Sequence, residues 1–223
     1  MARFKRLDVL NIVVKTGLVP VFYNGDIEIV KNVVKAVHDG GCPVIEFTNR
    51  GDFAVEVFGQ MEKFCCSEYP DMVTGVGSVI DPVSAGMYIN NGANFVVGPV
   101  LNADVAKVCN RRKIAYSPGC GSASEVSYAE ELGCEIIKIF PGGQVGGPAF
   151  VKSVKGPTPW TSIMPTGGVD ITEESLTAWY EAGVTCVGIG SKLVTKDMVA
   201  NGDWAGIQKN VENTLKIIKR LKG

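Results

Sequence analysis

Eight short apolar runs rich in β-branched residues recur along this chain, and segments with helical spacing separate most of them. The runs are Leu18–Phe22, Val44–Thr48, Val73–Val79, Phe95–Val97, Ile114–Ser117, Ile136–Phe140, Ser162–Pro165 and Cys186–Ile189. Between them Ile27–His38, Phe53–Phe64, Pro82–Asn90, Ala103–Arg111, Ser124–Leu132 and Glu173–Ala182 read as helices. Several end on small-residue stops such as Asp39-Gly40-Gly41, Asn91-Gly92-Ala93, Leu132-Gly133 and Ala182-Gly183, where glycine supplies the left-handed turn into the next strand. A further helical segment, Leu7–Lys15, precedes the first strand, and Trp204–Leu221 follows the last. Alternation of this kind predicts βαβ units around a parallel sheet. Eight such units in 223 residues fit a (β/α)8 TIM barrel with an additional N-terminal helix better than an open doubly wound sheet. With no Pro/Ser-rich linker or shift in composition, residues 1–223 read as a single domain.

Charge narrows the partners. Lys plus Arg number 22 against 23 Asp plus Glu, and Asn110-Arg111-Arg112-Lys113 is the longest basic block before the C-terminal helix, so neither nucleic acid nor an anionic membrane surface is expected. No apolar run reaches membrane-spanning length, and Met1-Ala2-Arg3-Phe4-Lys5-Arg6 does not lead into a secretory core, which points to the cytoplasm. Seven scattered cysteines form no CxxC pair and read as buried free thiols of a reducing compartment. The one histidine, His38, sits at a polar helix end, so imidazole-based metal sites and Ser-His-Asp chemistry are not expected, and no cofactor is implied.

In a barrel, chemistry gathers at the C-terminal ends of the strands. The sixth run, Glu135-Ile136-Ile137-Lys138-Ile139-Phe140-Pro141, places a lysine among apolar neighbours, where burial favours the neutral amine that attacks a ketone. A lysine that buries its stem and extends its head to the rim is the plainer alternative. The second run places Glu46 and Thr48 on one face by the period of two, with Arg50 just beyond. Glu46 is a candidate proton shuttle and Arg50 a fork for a substrate carboxylate, against the alternative of a structural ion pair. Thr166-Gly167-Gly168 and Gly190-Ser191 follow the seventh and eighth strands, where glycines let backbone N–H groups approach a phosphate. Thr74-Gly75-Val76-Gly77-Ser78-Val79 leaves room inside the mouth and offers the Ser78 hydroxyl. Pro99 is added as a rigid turn at the rim, with a structural role as the simpler reading.

Together these residues resemble the class I 2-keto-3-deoxy-6-phosphogluconate (KDPG) / 4-hydroxy-2-oxoglutarate aldolases, from about Leu7 to Ser191. The resemblance implies that Lys138 forms a Schiff base, that Glu46 is the acid/base, and that Arg50 and Ser78 hold the substrate carboxylate. It places Thr166, Gly167, Gly168, Gly190 and Ser191 in the phosphate-binding loops. It further implies cleavage of a phosphorylated 2-keto acid to pyruvate and an aldehyde, with no metal or organic cofactor, in a homotrimer. The chain departs from the family pattern at Ser78 (usually threonine), Val100 (glycine), Gly142-Gly143 (Ala-Glu) and Lys192 (tryptophan). Two other readings of the same residues are a phosphosugar isomerase or epimerase using Glu46 as base, and a non-catalytic phosphometabolite-binding protein.

Overall fold

The computed structural model describes residues 2–223. Nine strands alternate with ten helices among the described residues, and every strand pairing is parallel. A six-stranded curled sheet has the spatial order β5 (Ala115–Ser117), β4 (Phe95–Val97), β3 (Val73–Gly77), β2 (Val44–Thr48), β1 (Leu18–Phe22), β9 (Val187–Ile189). A three-stranded sheet has the order β6 (Gly119–Cys120), β7 (Ile136–Ile139), β8 (Ser162–Pro165). The strands are buried almost throughout, as parallel strands covered by helices on one face and packed together on the other must be.

The helices follow from their apolar spacing. In α2 (Ile27–Asp39) Val30, Val33, Val34 and Val37 form one stripe facing the core, and Asp26 caps the first turn by accepting from the Glu28 amide at 2.8 Å. In α10 (Trp204–Leu221) Ile207, Val211, Thr214 and Ile218 make the equivalent stripe, which packs against α2. Ahead of the first strand, α1 (Arg6–Thr16) turns Val9 and Val13 inward and stops at Gly17, whose φ of 76° is the left-handed cap. Beneath the N-terminal end of β3, the Arg3 guanidinium bonds Glu62 Oε1 at 2.7 Å and the carbonyls of Pro70 and Met72. Glu62 also accepts from Thr74 Oγ1, so this end of the sheet is tied by a buried polar network.

Four sequence expectations are corrected. The expected fifth strand is followed by a short additional one, β6, in the stretch read as a rigid turn, the two separated by Pro118, which has no N–H to give to a ladder. β5 pairs with β4, and β6 pairs with β7. β3 stops at Gly77 rather than Val79 because Ser78 adopts φ 60°, a left-handed conformation that breaks the extended chain. Two helices escaped the periodic reading, α7 (Gly147–Lys155) and the short α9 (Lys196–Ala200). Six of the seven cysteines are buried as expected, but Cys66 is exposed on α3 (Ala54–Glu68).

Candidate functional site

The two charged residues read from the strand pattern lie deep in the fold. Glu46 is 1% exposed and Lys138 5% exposed, the first in register with Val21 and Gly75 and the second with Gly119 and Met164. Burial lifts the Glu46 carboxyl above the usual carboxylate range, although Lys138 and Arg50 pull it back. Burial likewise holds the Lys138 ammonium below the usual lysine value; Glu46 draws it up and Arg50 pushes it further down. Glu46 Oε2 is buried with no hydrogen-bond partner. A lone buried carboxylate oxygen costs free energy unless a proton, a water or a ligand completes it. Lys138 Nζ sits 4.8 Å from the centroid of the Phe140 ring.

The room around Glu46 depends on glycine. A Cβ built on Gly77 would lie 1.8 Å from Glu46 Oε1, and one on Gly75 would lie 2.3 Å from the Phe95 ring. Gly77→Ala is therefore expected to leave the fold in place and push the carboxylate out of position. Turnover should fall by roughly 100-fold, the scale for about 1 Å of misplacement. Steady-state kinetics alongside a thermal melt would check this, since an activity loss no larger than the stability loss predicts would contradict the positional account.

A cleft of about 960 Å³ opens at the C-terminal ends of the strands. Its walls include Arg50, Phe140, Thr166, Gly167, Gly168, Gly190 and Ser191, so most of the expected substrate-binding residues meet there. Arg50 is exposed and donates from Nε to Ser78 Oγ at 3.3 Å, which brings Ser78 to the same corner. Thr48 is buried and donates to the carbonyl of Phe22, itself part of the cleft wall, at 3.4 Å. Pro99, like Glu46, Lys138 and Ser78, is not part of this lining; its carbonyl lies against Gly119, the residue paired with Lys138, where an added Cβ would be 2.2 Å away.

The glycine loops are shaped by close backbone approach. Gly167 and Gly168 both have φ of 82°, and the amides of Gly142 and Gly143 donate to the carbonyls of Thr166 and Gly167 at 2.9 and 2.8 Å. A Cβ on Gly168 would meet Gly143 Cα at 2.7 Å, so the Gly142-Gly143 pair lets the loop after β7 lie directly on the loop after β8. Among the described residues, the amides of Gly167, Gly168, Gly190 and Ser191 have no acceptor, and Thr166 Oγ1 is buried without a partner. Free amides converging from two loops are what an anion requires.

Several cleft residues were not found in the sequence reading: Tyr23 and Asn24 just after β1, and Asp170, Thr195 and Lys196. Tyr23 packs against Phe47 with ring centroids 5.5 Å apart, and a Cβ on Gly51 would meet its hydroxyl at 1.8 Å. The available signal was positional, since residues immediately following a strand face the same mouth. Among the described residues no group of three His, Cys, Asp or Glu side chains could hold a metal ion, and no helix is long and apolar enough to cross a membrane.

Residues 9–210 match the family described as KDPG and KHG aldolase. The chain is 33% identical to a 2-dehydro-3-deoxy-phosphogluconate aldolase of Pseudoalteromonas atlantica over 84% of both chains. It superposes with a TM-score of 0.79 on the 2-keto-3-deoxy-6-phosphogluconate aldolase of Zymomonas mobilis, at 29% identity and covering 93% of this chain and 94% of that one. A KDPG aldolase from Legionella pneumophila, whose structure holds pyruvate as a covalent carbinolamine intermediate, superposes with a TM-score of 0.81 at 25% identity, covering 91% of this chain and 96% of that one.

Proposed function

Given that this chain belongs to the KDPG and KHG aldolase family, we propose that it is a class I aldolase that cleaves 2-keto-3-deoxy-6-phosphogluconate to pyruvate and glyceraldehyde 3-phosphate through an imine on Lys138. Cleavage of 4-hydroxy-2-oxoglutarate is proposed as a second activity, since relatives bear both names. The observation that carries the reading is the buried pair itself: Lys138 and Glu46 are both almost wholly withdrawn from water on neighbouring parts of the strand layer, and that burial favours the neutral amine. An amine of ordinary lysine pKa would be almost wholly protonated at neutral pH and could not attack a carbonyl.

Neutral Lys138 Nζ adds to the C2 carbonyl, and the carbinolamine oxygen takes a proton from Glu46 and leaves as water. The resulting iminium draws the electrons of the C3–C4 bond as the C4 hydroxyl gives its proton, directly or through water, to the Glu46 carboxylate, releasing the aldehyde and leaving an enamine. Glu46, directly or through water, returns a proton to C3, and water hydrolyses the imine to free pyruvate and the amine. A carboxyl held above the usual range suits this cycle, because it keeps a proton to give more readily than an exposed carboxyl does. Arg50, with Ser78 Oγ on its Nε, grips the pyruvyl carboxylate. The amides of Gly167, Gly168, Gly190 and Ser191 and the Thr166 hydroxyl take the distal phosphate. Holding both ends orients the C3–C4 bond against the amine. No metal or organic cofactor takes part in this scheme.

The same reading extends to the fold and its setting. The two sheets form one closed (β/α)8 barrel with α1 as the additional helix, a closure supported by the Thr166–Gly188 bridge between β8 and β9 and by continuity through Pro118. One contiguous apolar cluster from Val9 to Ile218 supports a single domain over 1–223. Unpaired thiols favour a reducing compartment, the cytoplasm. Exposed Ile80, Val83, Met87 and Val100 support burial between copies, in a homotrimer. The isomerase and binding-protein readings are not favoured, because the family match and the relatives named are aldolases, one of them with pyruvate held as a covalent carbinolamine.

The direct test is release of pyruvate from 2-keto-3-deoxy-6-phosphogluconate, followed through reduction by lactate dehydrogenase and NADH. Turnover within the usual enzyme range of about 1 to 1000 per second is expected. No pyruvate from either 2-keto acid, with the protein folded, would overturn the aldolase reading.

A further inference from the structure

Beside the free amides of the anion cradle lies an ion pair that the reaction scheme does not use. Asp170 is fixed from two directions: its amide donates to Ser175 Oγ at 3.0 Å, and its Oδ1 accepts from the Ile171 amide at 2.7 Å. Its other oxygen, Oδ2, meets Lys192 Nζ at 3.0 Å, which joins the loop after β8 to the loop after β9. Both residues line the cleft, together with Gly167, Gly168, Gly190 and Ser191. A carboxylate two residues from Gly168 opposes any anion placed on those amides, and Lys192 cancels that charge. The partners are unequally held. The Lys192 side chain is 63% exposed against 35% for Asp170, and its flexible stem carries three donors that can be redirected. With Arg50 given to the pyruvyl carboxylate, the cleft wall still holds two further cations, Lys192 and Lys196, against the one carboxylate, so positive charge remains for a distal anion.

We propose that Lys192 is a specificity-determining residue: it neutralises Asp170 in the empty cleft and turns its ammonium onto the distal group of the substrate, so that the cleft selects a phosphate monoester dianion over a substrate ending in a single carboxylate or a hydroxyl. This rests on the reading that the cleft cleaves a phosphorylated 2-keto acid. The phosphate of such a substrate carries a charge of about −1.5 to −2 at neutral pH and three acceptor oxygens. It can therefore occupy the amides and Lys192 together, whereas a terminal hydroxyl brings no charge to draw Lys192 from Asp170.

The test compares the wild-type protein with Lys192→Met, Asp170→Asn and the double variant. For each, kcat and KM are measured with 2-keto-3-deoxy-6-phosphogluconate and with its unphosphorylated counterpart, and pyruvate trapping by borohydride is run in parallel. Lys192→Met should lower the preference for the phosphorylated substrate roughly tenfold, through KM rather than kcat, as expected for loss of one charge-assisted contact and exposure of Asp170. Asp170→Asn should lower KM for the phosphorylated substrate, and the double variant should recover part of the preference lost in Lys192→Met. The proposal is overturned if Lys192→Met leaves the preference unchanged, or if Asp170→Asn weakens the phosphorylated substrate as much as Lys192→Met does. Failure of wild-type protein to trap pyruvate would instead bring down the aldolase reading on which the proposal rests.

Discussion

Lys138→Met is expected to abolish imine formation and lower turnover by roughly 10⁴-fold or more, because the other cleft lysines, Lys192 and Lys196, are not buried beside Glu46 as Lys138 is. Methionine keeps an unbranched side chain at this position, 5% exposed and packed by Phe140, without the amine. The fold should survive the change. Removing the amine also removes the attraction its charged form exerts on Glu46, so the Glu46 pKa should move still higher, away from the uncompensated buried charge. A thermal melt close to wild type combined with near-total loss of pyruvate release is the expected pair of results. Retention of turnover within about tenfold would assign Lys138 a structural role.

Glu46→Gln should lower turnover by about 10²- to 10⁴-fold, the range for loss of a positioned acid/base. It should also leave a distinct mark on the pH profile. Glu46 raises the Lys138 pKa against the effect of burial, so removing its charge lowers that pKa further. The neutral amine is the reactive form and is lost as pH falls through the Lys138 pKa. The acidic limb of pyruvate trapping must therefore move to lower pH in Glu46→Gln, while turnover falls at every pH. A limb that stays in place or moves upward would show that Glu46 does not act on Lys138.

Much of this was legible in the sequence because the chemistry lies on strands. Period-two alternation put Glu46 inside β2, and Lys138 stood out as a charge within an otherwise apolar run. The helix stops were equally readable, since Gly41, Gly92, Gly133 and Gly183 all take positive φ. Loops gave less away. The stretch Gly142-Gly143-Gln144-Val145-Gly146-Gly147-Pro148 reads as irregular, so α7 was hidden until Val151 and Val154 were seen turned into the core. Five residues in α9 are too few for a helical period to emerge. Asp170 and Lys192 lie on separate loops, and only the return of β9 alongside β8 brings their side chains together, which no local pattern records. Pro99 was legible as a rigid turn near the strand ends, but its closeness to Gly119, the residue paired with Lys138, was not, because no local pattern records it.

The most direct test of the central claim is borohydride reduction with and without pyruvate, followed by peptide mass spectrometry. The account predicts one pyruvate-dependent adduct on the peptide containing Lys138 and none in Lys138→Met. An adduct on another lysine, or none on folded wild-type protein, would contradict it.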